Sequence, residues 1–570
     1  MAVPEGHERC LGSHGRSPVS SQESAQLVLS RLVALGIEHV VLCPGSRSAP
    51  LAYGLAELER AGAITLHVET DERVAAFVAL GIGRASGIPA PVVTTSGSAV
   101  ANLHPAAVEA YHSGVPFIAL TADRPEWMRG SGANQTTNQV GILGPNLVGQ
   151  ADLTAEQIIA DPEQIGRLVG LSWNGPVHIN VSFENPLNPE GAVFDAIPTR
   201  GAFNGDVRAL EARASNRTSV SGQGIEPERL DDRSTVIVAG PGTPYAEILG
   251  RAGAGTVPII AEPACGERNL AEAVPAGRIL ADVFANDIER VIVVGHPTLS
   301  RPVTQLISRS DIEVITVAND PVPTDPGRVG RVVEVMPEIA PQPRWLARWQ
   351  RAGEAAWKAG RDLLGNDLDA LGAAAVIADA PGQWFLGASN VIRDVDLLAG
   401  HPDAVFHANR GLAGIDGTMS TTRGMAKILG PMKVAVGDLT FIHDLGGLVL
   451  TRGQDEPAAD IVVIDDSGGG IFATLEHGQD RYADTFERVF RTAKSLDIPG
   501  AARAFGWEAV EVTDRQHLTE VLALPPAGRV IRVACERPVT EVRAKRTELA
   551  RAMAFEAAKA AGGPESVQTP

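Results

Sequence analysis

The chain has 570 residues, a formal net charge of −19, and 44% hydrophobic and 21% charged residues. This composition is typical of a folded globular protein, and the length predicts about three or four domains rather than one core. The diffuse acidic balance argues against a nucleic-acid surface, which requires a basic stripe. No apolar stretch reaches about 18 residues without polar interruption, so no membrane span is expected.

The N-terminus and the cysteines indicate a cytoplasmic protein. Residues 1–18 lack the apolar run of a secretory signal and are expected to form a flexible extension. Cys10, Cys43, Cys265 and Cys535 show neither a CxxC motif nor the spacing of zinc ligands. Widely separated cysteines fit a reducing compartment.

Residues 19–204 alternate short apolar runs with helical patterns. The runs read HVVLCPGS, ITLHVET, APVVTTSGS, PFIALTADRP and PVHINVSF. Such β-branched runs, separated by helices, are typical of a parallel sheet that is covered on both faces. Residues 205–234 are polar and rich in Gly and Ser, which predicts an exposed linker.

Two further α/β regions follow. Residues 235–344 contain STVIVAGPG, VPIIAEP, RVIVVGHP and IEVITVAND, and residues 345–570 contain AVFHANRG, MKVAVGDLTF, ADIVVIDDSGGG and RVIRVACE. We therefore predict an α/β fold of three doubly wound parallel-sheet domains, without a short solenoid repeat. Ligands of open parallel sheets bind at the carboxyl ends of the strands, so the loops after these strands are the candidate sites.

Two acidic loops in the last region suit a divalent cation. Gly437 and Asp438 end one apolar strand, and Asp466 follows the next clear strand. Neighbouring parallel strands would bring both loops to one edge, where carboxylates and backbone carbonyls bind Mg²⁺. The glycines after Asp466 would let backbone N–H groups approach phosphate oxygens. The alternative is that Asp and Gly are here ordinary turn residues.

Other strand ends carry an acid, arginines and amides. Glu72 lies at a strand–helix junction, where the helix dipole alone also favours an acid. Arginines beside Gly, Ser or Pro at strand ends are well placed to bind carboxylates through two N–H groups. These loops predict a small anionic substrate, and the candidate residues are Ser46, Arg47, Arg124, Asn134, Gln135 and Arg410.

These motifs together resemble the thiamine-diphosphate-dependent enzymes. The resemblance is carried, in order between residues 41 and 472, by LCPGSRSAPL, DER, TSGSAVANLHPAAVEA, LTADRP, GANQ, GPVHINVSFENPL, NRGLAGIDG, GDLTF and GGGIF. Within that superfamily, SRS, TADRP, GANQ and NRG…GIDG resemble the menaquinone-pathway synthases that join 2-oxoglutarate to isochorismate. The resemblance covers nearly the whole chain.

The resemblance implies a pyrimidine-binding domain at 19–204, a central α/β domain at 235–344 and a diphosphate-binding domain at 345–570. It implies thiamine diphosphate with Mg²⁺ or Mn²⁺ as cofactors. It also implies a homodimer or homotetramer in which the cofactor lies between subunits. The implied reaction is the decarboxylation of 2-oxoglutarate and a Stetter-like 1,4-addition of the succinyl unit to isochorismate, with release of CO₂.

The resemblance also assigns roles to the cofactor residues. Glu72 matches the glutamate that hydrogen-bonds the aminopyrimidine ring, and Ile415 matches the apolar wedge that keeps the cofactor bent. The implied metal ligands are Asp438, Asp466 and the Gly468 carbonyl. The other implied cofactor contacts are Gly437, Ile471 and Phe472.

For the substrates, the resemblance adds three residues to the arginine and amide candidates. Ser389 and Arg393 come from GASNVIR, and Arg301 comes from HPTLSRP. Relatives often carry a basic pair at the last position, whereas Ser300 precedes Arg301 here. A second departure is Asp466, where relatives usually have asparagine. The extra negative charge should tighten metal binding and repel the cofactor diphosphate.

Two other functions fit fewer of these features. Another thiamine-diphosphate carboligase or 2-oxoacid decarboxylase, such as an acetolactate synthase, is not expected to present so many arginines to its acceptor. A non-catalytic regulator or scaffold with a degenerate cofactor fold is disfavoured by the intact Glu72 and Gly437–Asp438. The motifs give the central domain no chemical role.

Overall fold

The structure is a computed structural model that describes residues 20–201, 226–242, 254–318, 323–454 and 456–562. The predicted N-terminal extension lies outside the described residues, as does most of the predicted linker at 205–234. The described part contains three parallel sheets flanked by helices, which confirms the predicted α/β fold. No helix in these ranges is long and apolar enough to cross a membrane.

Each sheet is built from one contiguous part of the chain. The first contains β1 (His39–Leu42), β2 (Thr65–Val68), β3 (Ala90–Thr94), β4 (Phe117–Asp123), β5 (Gly149–Leu153) and β6 (Pro176–Ser182). The second contains β7 (Thr235–Ala239), β8 (Ile259–Ala261), β9 (Arg290–Val294), β10 (Glu313–Val317) and β11 (Arg331–Val333). The third contains β12 (Gly382–Leu386), β13 (Ala404–His407), β14 (Met432–Gly437), β15 (Ala459–Asp465), β16 (Glu508–Val512) and β17 (Arg529–Ala534).

The described α-helices fall into the same three groups. Those of the first part are Ser21–Ala34, Ala49–Arg60, Glu72–Ser86, Ser98–Ala101, His104–His112, Ala155–Ala160 and Glu163–Leu171. Those of the second part are Gly277–Val283 and Arg301–Ile307. Those of the third part are Pro343–Leu364, Ala370–Asp379, Asn390–Leu398, Thr418–Leu429, Asp438–His443, Gly470–Ala473, Ala483–Phe486, Ile498–Ala504, Arg515–Ala523 and Val539–Ala560.

The first and third sheets repeat one topology. Their strand orders, β2-β1-β3-β4-β6-β5 and β13-β12-β14-β15-β17-β16, follow the same sequence of crossovers. The direction of the connections reverses between β1 and β3 in the first sheet, and between β12 and β14 in the third. Crevices at such switch points are where open parallel sheets bind their ligands. The topology therefore marks the loops after β1, β3, β12 and β14 as positions for a site.

Successive residues of a strand pack into different hydrophobic cores, because side chains alternate between the two faces of a sheet. Val40 packs into one core and Val41 into another, on opposite faces of the first sheet. A single core joins the central and third sheets and contains Val293, Trp349 and Trp384. Apolar burial of this kind stabilises a fold by about 25 cal/mol per Å². The central part and the third part thus share one core, to which the helices between their sheets contribute.

Two helices join the first part of the chain to the third. A Cβ at Gly81, in Glu72–Ser86, would lie 2.1 Å from the Thr421 carbonyl oxygen of Thr418–Leu429. No larger residue could replace this glycine without separating the helices. The helix that begins at Glu72 is therefore held against the third part of the same chain.

Candidate active site

Two aspartates meet at the carboxyl edge of the third sheet. β14 pairs in parallel with β15, with Gly437 opposite Ile464, so the residues that follow lie side by side. Asp438 begins a helix there and its Oδ1 accepts the Leu439 N–H at 2.8 Å. Asp438 and Asp466 line one cleft of about 670 Å³. The predicted adjacency of the two acidic loops is therefore present.

The surroundings of both aspartates disfavour negative charge. Burial raises the pKa of Asp438 to about 6. Burial and then the charge of Asp438 raise the pKa of Asp466 to about 7. Two buried acids with raised pKa values in one crevice are stabilised by a cation bound between them. The donor set of two carboxylates and nearby backbone carbonyls fits a divalent ion that prefers oxygen.

Side chains alone would not complete the coordination of that ion. Across the described ranges, no group of three or more His, Cys, Asp or Glu side chains could hold a metal. The remaining ligands would have to be backbone oxygens, water or the oxygens of a bound anion. This is the arrangement expected for Mg²⁺ at a phosphate site, since Mg²⁺ keeps few protein ligands.

The glycine run after Asp466 shapes the cleft. Gly468 has φ +123°, and a Cβ there would lie 2.2 Å from the Arg491 carbonyl oxygen. Gly469 donates its N–H to the same carbonyl at 2.6 Å. A Cβ at Gly470 would lie 2.0 Å from Asp466 Oδ2. The carboxylate of Asp466 therefore rests against bare backbone, and a side chain at Gly470 would displace it.

The same cleft gathers the other cofactor candidates of the third part. Ser389 and Asn390 open the nine-residue helix Asn390–Leu398 at the switch point beside β12, where free N–H groups favour an anion. Its volume lies in the range of small-molecule sites. The predicted residues that line it are Ser389, Ile415, Gly437, Asp438, Asp466, Gly468, Ile471 and Phe472.

Glu72 does not line this cleft. It begins the helix Glu72–Ser86, whose preceding residue, Asp71, caps the first turn by accepting two backbone N–H groups. Glu72 borders a separate cleft together with Asn102 and Val449. Within one copy of the chain, the predicted ring-binding glutamate and the predicted metal ligands therefore lie in two different clefts.

One group of substrate candidates forms at the first sheet. Arg124 donates to Ser96 Oγ, which donates to the Gln135 carbonyl at 3.1 Å, and Gln135 Nε2 donates back to the Ser96 carbonyl at 2.9 Å. Arg47 donates to the Phe183 carbonyl at 2.8 Å. Burial and then the charge of Arg124 lower the pKa of Arg47. Two neighbouring guanidiniums at a switch point suit an anionic ligand.

A second group forms between the central and third sheets. Arg393 donates to the Ser389 carbonyl at 2.8 Å. Arg410 is 2% exposed and donates to Thr298 Oγ1 at 3.0 Å, but its Nε and Nη1 have no hydrogen-bond partner among the described residues. Burial and then Arg410 lower the pKa of Arg393. Buried N–H groups without partners are costly, so an anion would stabilise Arg410.

The remaining substrate candidates are not enclosed. Ser46 and Asn134 are exposed on loops of the first part. Arg301 is 66% exposed and binds both carboxylate oxygens of Glu476, at 2.7 and 3.1 Å. This contact lowers the pKa of Glu476 to about 2. Because the pair lies in solvent, its attraction is largely screened.

The structure adds polar side chains that the sequence patterns did not indicate. Asp394 lines the Asp438 cleft and binds Arg546, from the helix Val539–Ala560, through both of its oxygens. Arg546 stands in a helix without any motif, so the sequence contains no signal for it. Ser96 stands in the strand–helix turn TTSGS, a pattern that ordinary turn residues also form.

Asp466→Asn is expected to preserve folding and turnover at saturating Mg²⁺ and to weaken Mg²⁺ binding roughly tenfold, because the candidate metal site would lose one of its two carboxylates. As the pH rises through 6 to 7, Asp438 and Asp466 lose their protons, so the Mg²⁺ affinity of the unmodified protein should rise with pH. The variant should show a shallower rise in a calorimetric Mg²⁺ titration. A folded but inactive variant would mean that the second carboxylate has another role.

Known proteins resemble this chain along nearly its whole length. Residues 22–142 match the family model described as thiamine pyrophosphate enzyme, N-terminal TPP binding domain. The 2-succinyl-5-enolpyruvyl-6-hydroxy-3-cyclohexene-1-carboxylate synthase of Renibacterium salmoninarum is 39% identical, over 93% of this chain and 96% of the relative. The synthase of the same name from Paenarthrobacter aurescens is 41% identical, over 90% of this chain and 93% of the relative. The one from Kineococcus radiotolerans is 39% identical, over 92% of this chain and 97% of the relative.

Proposed function

The chain belongs to the 2-succinyl-5-enolpyruvyl-6-hydroxy-3-cyclohexene-1-carboxylate synthases, thiamine diphosphate enzymes of menaquinone biosynthesis, and on this basis we propose the reaction that it catalyses. It removes CO₂ from 2-oxoglutarate and adds the succinyl unit to isochorismate by 1,4-addition. The observation that carries this proposal is the cleft that brings Asp438, Asp466 and the glycine run together at the switch point of the third sheet. The two arginine groups support it, because both substrates carry two carboxylates.

The residues of the cleft fit thiamine diphosphate with Mg²⁺ or Mn²⁺. Asp438, Asp466 and the Gly468 carbonyl would hold the metal, and the N–H groups that begin the helix Asn390–Leu398 would receive the diphosphate. Ile415 would pack against the cofactor. When bound, thiamine diphosphate supplies the electron sink that the loss of CO₂ from a 2-oxo acid requires.

The side chains of the protein would bind, orient and move protons. Glu72 would share a proton with a ring nitrogen through its carboxylate, which an amide cannot do. Arg47 and Arg124 would hold carboxylates of one substrate, and Arg393 and Arg410 those of the other. Fixing both substrates in this way converts an encounter of two molecules into a reaction within one complex.

We propose that a second copy of the chain completes the site. In one copy, Glu72 and Asp438 lie in different clefts, which supports a cofactor that lies between two copies and contacts one of these residues from each. A homodimer would then be the smallest active unit, and a homotetramer would contain two such pairs.

Co-expression of Glu72→Gln with Asp438→Asn tests this arrangement. Each variant alone is expected to be inactive, but a mixed dimer contains one site with neither change. Random pairing should therefore recover about a quarter of the normal activity. Each variant co-expressed with itself is the control. If the purified mixed dimer shows no more activity than these controls, Glu72 and Asp438 act within one chain.

A substrate comparison tests the reaction itself. With thiamine diphosphate and Mg²⁺ present, the purified protein should form a coupled product from 2-oxoglutarate and isochorismate, observed by mass spectrometry. Replacing isochorismate with pyruvate as the acceptor should give little product, because pyruvate presents a single carboxylate to the arginines. Efficient turnover of pyruvate alone would instead favour the acetolactate-synthase type of reaction.

A further inference from the structure

Glu262 of the central sheet lies beside the arginines to which the proposed function assigns a substrate carboxylate. It follows β8, is 4% exposed, and its Oε1 accepts the Leu299 N–H at 2.6 Å. The preceding residue, Thr298, accepts Arg410 Nη2 at 3.0 Å. The loop after β9 thus holds both the carboxylate and the guanidinium.

Glu262 is near Arg410 without being paired to it. Glu262 Oε2 is buried and, like Arg410 Nε and Nη1, has no hydrogen-bond partner among the described residues. Burial raises the pKa of Glu262 to about 7, and Arg410 is the main group that opposes this rise. Glu262 in turn opposes the lowering of the Arg393 pKa. The carboxylate therefore acts on both arginines, while Nε and Nη1 of Arg410 stay without a partner among the described residues.

The other buried acids nearby already have partners. Asp394 is paired with Arg546, and Asp396 faces two further arginines of the central part, Arg268 and Arg278, at 3.5 and 3.8 Å. Asp394 also opposes the lowering of the Arg393 pKa, but of these three acids only Glu262 forms no ion pair among the described residues. Glu262, Arg393 and Arg410 together keep about one positive charge, which one additional carboxylate would neutralise.

We propose that Glu262 determines specificity as the built-in counter-charge of Arg393 and Arg410, so that this part of the substrate site accepts about one carboxylate. The inference rests on the proposed function, in which these arginines bind substrate. A substrate carboxylate accepts hydrogen bonds from Nε and Nη1 of Arg410, and the negative charge of Glu262 limits the affinity for that carboxylate. The central domain thereby takes a direct part in recognising the substrate.

Glu262→Gln tests the role of the charge, because the amide oxygen can still accept the Leu299 N–H. At a pH about 1.5 units above the Glu262 pKa, where the carboxylate is ionised, the KM of the substrate held by Arg410 should fall roughly tenfold. The KM of the other substrate and kcat should stay within about threefold. Succinate should raise the Tm of the variant more than it raises that of the unmodified protein.

Two further variants separate charge from structure. Glu262→Asp keeps the charge but shortens the side chain, so its KM values should match those of the unmodified protein even if its Tm falls. Glu313→Gln removes a central-sheet acid that binds Arg290 at 2.6 Å, and should lower Tm without changing either KM.

The outcomes distinguish the inference from the proposed function. A raised KM for both substrates, or a succinate response in folded Glu262→Gln no larger than normal, overturns the role of Glu262. If Glu262→Gln does not fold, a lowered KM in Glu262→Asp overturns the role of Glu262 instead. If the unmodified protein forms no product, the proposed function fails, and the succinate comparison still decides whether Glu262 opposes carboxylate binding.

Discussion

Glu72→Gln is expected to lower kcat by roughly a thousandfold, with thiamine diphosphate still bound. The amide can form a hydrogen bond but cannot share the proton that the proposed role of Glu72 requires. Stopped-flow or steady-state turnover gives kcat, and calorimetry with Mg²⁺ present gives the cofactor affinity, which should change less than about tenfold.

The neighbouring acid provides a matched control. Asp71 caps the same helix by accepting the Arg73 and Val74 N–H groups at 2.9 and 3.3 Å. Asparagine is an equally good cap, so Asp71→Asn removes a charge and keeps the helix start. Its kcat should stay within about threefold of normal. If both variants lose activity equally, local charge rather than proton transfer at Glu72 is responsible.

Asp438→Asn is expected to weaken cofactor binding in Mg²⁺ by about a hundredfold or more. Asp438 is 4% exposed at the start of its helix, so an amide there would deprive the proposed metal site of its most enclosed carboxylate. Calorimetric titration with thiamine diphosphate, at several Mg²⁺ concentrations, measures the loss. The affinity should recover only partly at high Mg²⁺.

Asp465→Asn is the control for this change. Asp465 precedes Asp466, but its Oδ2 accepts Arg532 Nε at 2.7 Å and it does not line the cleft. Its loss should alter cofactor affinity by less than about threefold. If Asp438→Asn and Asp465→Asn lost cofactor affinity equally, the loss would come from removing a negative charge in this region. The case for Asp438 as a metal ligand would then be removed.

Most of the sheet structure could be predicted from the sequence, because central parallel strands are continuous apolar runs. The strands that the patterns did not indicate include β5, β11 and β16, all at sheet edges. Edge strands are partly exposed and carry polar residues, as GQADL and EAVEV show. β12 is central, but GQWFL is short and begins with Gly and Gln, so no apolar run marks its start.

Most loops of the site could also be predicted, because they stand at the ends of recognisable strands; the loop with Ser389 follows the unrecognised β12 and was found through the family resemblance alone. Their grouping could be predicted only in part: the adjacency of the Asp438 and Asp466 loops follows from neighbouring parallel strands, but a sequence does not show which more distant strand ends share a crevice. The resemblance implies a cofactor between subunits, and the structure shows Glu72 and Asp438 in two different clefts of one copy. Glu262 gave no signal, because AEP after a strand is an ordinary strand–turn pattern.

The most direct test of the proposed reaction follows both ends of 2-oxoglutarate. The 2-oxoglutarate is labelled at C1, the carboxyl group next to the ketone. With isochorismate, Mg²⁺ and thiamine diphosphate present, we expect labelled CO₂ and coupled product in equal amounts, and neither when thiamine diphosphate is omitted. CO₂ release without coupled product would identify a decarboxylase, and product formation without added or bound thiamine diphosphate would contradict the cofactor-dependent site described above.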